Sequence, residues 1–492
     1  HPVDRRQRQM CIRDRFKLIF IMKRKDFLKL SSASAMLFGL KSHGINFSYL
    51  ERPYDYSKNN SQYMGDFAAP KINVVKVAFI GVGARGSGHA KQIAAIEGTE
   101  VVAISDLYND LAMKSYEACK KIGNGNRHKN IAIYSGGENK WKVMLNEVKP
   151  DAVFISTNWD NHAPMAIETM KSGAHAFVEV PMATTIEDLW EIVNTSEKTR
   201  KHCMMMENVN YGRDELMYLN MCRKGIIGDF LHAEAAYIHE LRFQMNEEKR
   251  GTGSWRTHHY AKSRGNLYPT HGLGPVAQYM NLCRGDDNFN SLVSFSSPAL
   301  GRKLYAEKNY DSDHKWNKLN YSNGDMNTSI IKTNLGRTIM IQWDETSPRP
   351  YTRHNLIQGT KGILAGFPTR VALENGVEGI TKDHHSWVQG KNLKILYEKY
   401  DHPLNKRLEL LIEKMGGRNH VGHGGMDFVM RYRIIECLRR GEPLDQNVYE
   451  GCFWSAVTPL SAKSIANNGE PQQFPDFTRG NWKETNPLEI IA

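Results

Sequence analysis

KVAFIGVGARGSGHAKQIAAIEGTEVVAISD, residues 76–106, is the stretch whose reading decides the fold. Val77-Ala78-Phe79-Ile80 is an apolar run that predicts a strand. It leads into Gly81-Val82-Gly83-Ala84-Arg85-Gly86, and a helix is predicted over 89–97. A second apolar run, 101–104, ends in Ser105-Asp106. Strand, glycine turn, helix, strand and terminal acid follow in the order of a dinucleotide-binding βαβ unit. Gly81 allows the tight turn, Gly83 lets the backbone approach a pyrophosphate, and Gly86 lets helix and strand pack closely. The helix N-terminus then faces the phosphates. Asp106 lies 20 residues beyond Gly86, where its carboxylate can accept from ribose hydroxyls. The same charge repels a 2′-phosphate, so NAD is expected rather than NADP.

Working outward, 492 residues leave room for two or three domains. With 40% hydrophobic and 24% charged residues, the chain has the composition of a soluble globular protein. Its net charge of +12 is partly set by residues 1–21, where six Arg or Lys face two Asp. The rest carries no basic aromatic stripe, so no nucleic-acid partner is expected. The seven cysteines contain no C-x-x-C pair, and no zinc or disulfide framework follows from them. His258, His259, His420 and His423 lack a zinc-site spacing with a third ligand, and no metal is expected.

Residues 1–21 resemble translated sequencing-adaptor sequence and are set aside. From Met22, Lys23-Arg24-Lys25-Asp26-Phe27-Leu28-Lys29 precedes a short small-residue apolar run, 30–40. This resembles a twin-arginine export signal with Lys25 in the second arginine position, and it predicts a periplasmic or exported protein, otherwise a cytoplasmic one. The run is too short to span a bilayer. Residues 41–70, rich in Ser, Asn and Tyr, read as a linker.

Beyond Asp106, helices are predicted over 111–122, 141–146, 163–172, 186–201 and 213–224. Strands are predicted at 151–156, 176–178 and the Met run 203–206. Trp159, His162 and Glu179 follow strand ends, where ligands of such sheets collect. A packed loop Trp, a helix-start His and a solvated Glu are the plain alternatives. From 230 onward strands are predicted at 230–239, 290–295, 326–333, 338–345 and 354–358. The expected class is therefore α/β: an N-terminal Rossmann domain (71–205) and a C-terminal α/β domain with a largely antiparallel open sheet (206–492). The broad open sheet makes a homo-oligomer a possible state. Gly265-Asn266-Leu267-Tyr268-Pro269-Thr270-His271-Gly272 reads as a turn or helix start, from which Tyr268 and His271 project.

A nucleotide domain ending in Glu179-Val180-Pro181 and followed by an open-sheet domain resembles the Gfo/Idh/MocA oxidoreductase family. Most dehydrogenases of that family carry E-K-P here, the lysine polarising the reacting hydroxyl. Val180 stands in its place. N-W-D-N-H (158–162), W-R-T-H-H (255–259), Y-P-T-H-G-L-G-P (268–275), S-P-R-P-Y (347–351), Q-G-T-K-G (358–362) and G-H-G-G-M-D (422–427) occur in this order. Together with E-V-P they resemble glycoside hydrolase family 109, the NAD-dependent α-N-acetylgalactosaminidases.

The resemblance implies a hydrolase that keeps its NAD and acts on glycosides with terminal N-acetylgalactosamine. Oxidation at C3 of the sugar acidifies the C2 proton, the C1 substituent is eliminated, water adds, and the hydride returns to C3. No glycosidase carboxylate pair is then required. Besides Gly81 and Gly83, the resemblance implies NAD contacts from Arg85, Gly86, Asp106, Trp159, Asp160, Asn161, His162, Glu179, Val180 and Asn208. Tyr237, Arg256, Tyr268, Pro269, Thr270, His271 and Tyr351 would line the sugar pocket. His271 is the expected acceptor of the C3 hydroxyl proton, because an imidazole works near neutral pH. Tyr268 and Tyr211 are candidates for C2 proton removal or leaving-group assistance. His423 either closes the pocket or caps a helix. A sugar dehydrogenase, a non-catalytic sensor on the same fold and a same-mechanism glycosidase for another sugar are the alternatives.

Overall fold

The computed structural model describes residues 62–122 and 127–488. The adaptor-like extension, the stretch expected to be an export signal and most of the expected linker lie outside them. Six parallel strands form the first sheet: β1 (Val75–Ile80), β2 (Thr99–Asp106), β3 (Ala132–Ser135), β4 (Ala152–Ile155), β5 (His175–Val178) and β6 (Cys203–Met205). Their order is β3-β2-β1-β4-β5-β6. Sheet growth reverses between β1 and β4, and the crevice at their carboxyl ends is where such sheets bind ligands. Every residue of β4, β5 and β6 is buried, as expected of parallel strands covered on both faces. The Met run is β6, a core strand.

The glycine turn is built as its spacing predicts. Gly81 has φ +81°, and a Cβ on Gly86 would stand 1.9 Å from the Gly81 carbonyl oxygen. Only a residue without a side chain lets the helix Gly86–Ala95 start so close to β1.

The second sheet has nine strands. They are β7 (Phe230–Ile238), β8 (Phe289–Ser296), β9 (Asn327–Thr333), β10 (Thr338–Asp344), β11 (Leu356–Gly359), β12 (Gly362–Ala365), β13 (Arg370–Leu373), β14 (Val388–Gln389) and β15 (Gln472–Gln473). The order is β14-β13-β12-β11-β7-β10-β9-β8-β15. Only the β7–β10 pair is parallel, so the expected largely antiparallel sheet is present.

Two helices cover one face of this sheet. Thr270–Tyr279 lies on β7, and Val448–Ala466 lies on β8 while also packing against Ile186–Thr199 of the first domain. Asn447 and Glu450 form a reciprocal capping box at the start of Val448–Ala466. The helix Thr270–Tyr279 approaches β7 so closely that a Cβ on Gly272 would fall 2.4 Å from the Ala236 nitrogen.

Packing does not follow the boundary at residue 205. Leu404, Leu408 and Ile412 of the helix Pro403–Lys414 share one core with Phe79, Phe154 and Phe177. Phe428, Val429, Ile434 and Leu438 of the helix Met426–Arg440 join the same core, and this helix packs on β1 and on Gly86–Ala95. The nucleotide domain is therefore closed by helices from the far end of the chain. Among the described residues no helix is long and apolar enough to cross a membrane.

Candidate active site

A cavity of about 850 Å³ runs from the glycine turn, across the ends of β1, β4 and β5, to Arg256 and Tyr268 of the second domain. A Cβ on Gly83 would meet nothing within 4 Å, so the turn leaves open space where its backbone faces the cavity. No side chain caps the helix Gly86–Ala95, and no acid lies in its first turn, so its N-terminal dipole is free for an anion. Asp106, at the end of β2, accepts from the Val82 N–H at 2.7 Å and the Tyr108 N–H at 2.9 Å. Each oxygen keeps a lone pair for a further donor. Open glycine, uncapped helix and terminal acid in one cavity fit a dinucleotide.

The second domain reaches over this cavity. Arg250 pairs with Asp110 at 2.9 Å and stands 5.3 Å from the Tyr108 ring. Trp255 meets Trp159 edge-on at 4.9 Å, and His259 lies 3.4 Å from the Asp160 carboxylate.

Between the two domains the polar groups close into a ring. The Glu179 Oε1 accepts from Arg85 Nε at 3.2 Å and from His89 Nε2 at 2.7 Å. Arg431 Nε donates to His89 Nδ1 at 2.7 Å, and its other end lies 3.8 Å from Asp427. Asp427 in turn pairs with Arg85 at 3.0 Å. Burial and the neighbouring Arg431 push the His89 imidazole down to about 4, so it is neutral, donating from Nε2 and accepting at Nδ1. Burial opposes charge on Glu179, but Arg85 and His89 outweigh it and hold the carboxyl well below its usual range. Burial opposes charge on Asp427 as well, and His423, Arg85 and Arg431 outweigh it. The ring fixes Arg85 and Glu179 at the cavity wall by tying the glycine turn to the helix Met426–Arg440.

The far end of the cavity is aromatic. Arg256 lies among the rings of Trp159, Trp255 and Tyr268, at 5.0, 5.4 and 4.8 Å. Its Nε is buried without a hydrogen-bond partner. Tyr237 contacts the rings of Tyr268 at 4.9 Å, His271 at 5.2 Å and Tyr351 at 6.1 Å. Tyr268 and His271 meet at 4.9 Å. His271 Nδ1 lies 2.6 Å from the Glu207 Oε1. Burial pushes the Tyr268 phenol up to about 12, against the opposing pull of Arg256.

The structure brings most of the expected residues together. Gly81, Gly83, Arg85, Asp106, Trp159, Asn161, His162, Glu179, Val180, Arg256 and Tyr268 line the cavity. Tyr237, His271 and Tyr351 continue from Tyr268 through ring contacts. Pro269 and Thr270 form the start of the helix that carries His271. Trp159 and His162 stand in the first turn of the helix Trp159–Lys171, which begins four residues before the predicted start. The His162 nitrogens lie 2.7 Å from the Pro181 carbonyl and 3.2 Å from that of Thr157, so this histidine joins the β4 and β5 loops. Val180 is buried at the cavity wall, where an apolar side chain supplies no charge.

Four expected residues, Asp160, Tyr211, Asn208 and Gly86, are not in the cavity lining. Tyr211 is packed in the first domain's core among Phe428, Met430 and Ile434, away from the cavity, so the structure does not bring it to the sugar end. Its 3-10 helix, Asn208–Tyr211, turns it onto the helix Met426–Arg440. Asn208 is buried and donates to Asp427 at 2.6 Å, behind Arg85. Gly86 serves packing. His423, more than half exposed, pairs with Asp427 at 2.8 Å beside Arg85.

Glu207, His89, Asp427 and Arg431 were not singled out from sequence. Their partners are distant in the chain, up to 342 residues for Arg431 and His89. The one local signal was the pair Gly272 and Gly274 inside a helix, which costs about 1 kcal/mol per glycine relative to alanine. Such a cost implies close packing, and a Cβ on Gly274 would stand 2.9 Å from the Glu207 Cγ.

Comparison with known proteins agrees with this division of labour. Residues 75–207 match the oxidoreductase family with an NAD-binding Rossmann fold, and residues 211–484 match the glycosyl hydrolase 109 C-terminal domain. A glycosyl hydrolase family 109 protein of Akkermansia muciniphila is 63% identical over 436 residues, 88% of each chain. An alpha-N-acetylgalactosaminidase of Shewanella oneidensis is 51% identical over 469 residues, 95% of this chain and 99% of the relative. Among solved structures, levoglucosan dehydrogenase in complex with NADH and levoglucosan superposes with TM-score 0.60 at 16% identity, covering 82% of this chain and 99% of its own. Scyllo-inositol dehydrogenase of Lactobacillus casei, with bound NAD(H) and scyllo-inositol, gives TM-score 0.56 at 12% identity, covering 81% of this chain and 99% of its own. These two likenesses are of fold. The chain belongs to glycosyl hydrolase family 109, a glycoside hydrolase in which an NAD-binding Rossmann domain is joined to an open-sheet partner domain.

Proposed function

We propose that the protein removes terminal α-linked N-acetylgalactosamine and retains its NAD through each turnover. The observation that carries this reading is the cluster of His271, Tyr268, Tyr237 and Arg256 at the end of a cavity whose other end fits a dinucleotide. Val180 supports it, because the wall there holds no ammonium of the kind the related dehydrogenases use. The name of the Shewanella relative supports the choice of sugar.

Bound in the cavity, NAD supplies reversible two-electron oxidation of the C3 carbinol, which acidifies the neighbouring C2 hydrogen. His271 accepts the C3 hydroxyl proton at Nε2, its Nδ1 being engaged by Glu207. The C2 proton passes to solvent water, and the C1 substituent departs with its bonding electrons. Burial keeps the Tyr268 hydroxyl protonated, so it donates to that departing oxygen, and Arg256 beside its ring offsets the phenolate charge. Water adds its hydroxide at C1 and gives its proton to Tyr268, C2 regains a proton from solvent, and His271 returns its own to the C3 oxygen as C3 is reduced again.

The test is release of nitrophenol from nitrophenyl α-N-acetylgalactosaminide by purified protein in D₂O, without added NAD. Hydrolysis with deuterium at C2 of the released sugar is expected. No nitrophenol, with NADH accumulating once free NAD and sugar are supplied, would make the protein a dehydrogenase.

A further inference from the structure

Glu207 is wholly buried at the start of the 3-10 helix Asn208–Tyr211. Its Oε1 faces His271 Nδ1 at 2.6 Å and accepts the Val209 N–H at 3.1 Å. Its Oε2 is buried with no hydrogen-bond partner. Among the described residues no Lys or Arg stands within 4.0 Å of this carboxylate, and His271 alone pairs with it. An isolated carboxylate is costly to bury, so its placement calls for a role. Gly274 shows that the packing was made for the contact. A Cβ there would stand 2.9 Å from the Glu207 Cγ and 2.8 Å from the Asn210 Oδ1.

We infer that Glu207 is the positioning residue of the proton acceptor, holding His271 as the Nδ1–H tautomer with Nε2 left unbonded within the ring cluster of Tyr237 and Tyr268. This rests on the reading of His271 given above. Glu207 Oε1 already accepts the Val209 N–H, so it faces His271 as an acceptor and the hydrogen between the two groups belongs to Nδ1. In a neutral imidazole Nε2 is then the acceptor, and it makes no hydrogen bond to a described residue. When Nε2 takes the C3 hydroxyl proton, the imidazolium forms 2.6 Å from a negative charge within a low-dielectric wall. Glu207 thus sets both the direction of proton transfer and the cost of holding the proton until it is returned. It does not touch substrate, and it acts through His271.

Long-range ¹⁵N–¹H NMR of holoenzyme labelled in histidine tests the tautomer without substrate, the His271 signals being identified by their loss in His271→Asn. A protonated Nδ1 with an unprotonated Nε2 at neutral pH is expected, and the reverse tautomer would overturn the inference. In steady state with the nitrophenyl glycoside, Glu207→Gln keeps the shape and removes the charge. Its kcat should fall by about 100-fold or more, with KM and extracted NAD per protein within about threefold of the parent. Glu207→Asp should recover at least about tenfold over the Gln variant by restoring the charge. A Gln variant with kcat within threefold of the parent, or an Asp variant no better than the Gln one, would refute the assignment. If wild type shows the expected tautomer but releases no nitrophenol, the glycosidase reading fails and the tautomer assignment stands.

Discussion

Replacing Gly272 by alanine should uncouple activity from cofactor binding. The added Cβ would lie 2.4 Å from the Ala236 nitrogen and 2.6 Å from its carbonyl oxygen, both backbone atoms of β7. Ordinary carbon contacts begin at 3.4 Å, so the helix Thr270–Tyr279 must retreat from the sheet by about 1 Å. His271 precedes the substituted residue and moves with it. A misplacement of about 1 Å at a reacting group costs on the order of 100-fold in rate. Overpacking costs about 1–3 kcal/mol, and the better helix propensity of alanine returns about 1 kcal/mol. A fall of a few degrees in Tm is therefore expected, not unfolding. The assay is kcat on the nitrophenyl glycoside, beside Tm and NAD content of the same preparation. NAD content should be unchanged, because the glycine turn and Asp106 lie on the other domain. A variant with parental kcat and raised Tm would show that this contact does not set the position of His271.

The remaining predictions concern the cofactor and the buried ring. Asp106→Ala should weaken NAD by about tenfold or more and admit NADP, read by thermal shift with each cofactor. Unchanged selectivity would mean that the β2 carboxylate does not face the ribose. For pH, the unfolded chain protonates histidine near 6.5, whereas folded His89 and His402 are held down to about 4 and His202 to about 3, burial being the first cause in each. The unfolded state therefore binds more protons between these limits, so stability is full above about 6.5 and falls as pH drops through the window. Tm should be level from pH 8 to 7 and decline toward pH 4, with a shallower decline in His89→Asn. Parallel slopes for the two proteins would exclude His89 as a contributor.

Local pattern carried the first domain except β3, a four-residue edge strand that was not predicted. The turn at Gly81, the close approach at Gly86 and the acid ending β2 each answer to residues within one βαβ unit. Strands of seven to nine residues in the second sheet, such as β7, β8, β9 and β10, were also legible. Strands β12 to β15, of four residues or fewer, were not predicted. Glu207 was illegible because its meaning lies in a partner 64 residues away. Tyr211 shows the converse. Four residues after Glu207, one short helical turn sends it to the core while the acid faces His271. Side-chain type could not separate these two fates, since only the turn geometry decides them.

The helices that close the nucleotide domain come from residues 403–440, more than 300 residues after β1 begins. During synthesis β1 to β6 therefore emerge from the ribosome with part of their apolar surface bare. That surface stays uncovered until nearly the whole chain has been made. A fragment ending near residue 205 contains every strand of the nucleotide sheet and still lacks one wall of its core. A cut near residue 205 therefore divides this core, and a boundary that is clean along the sequence is not clean in the packing.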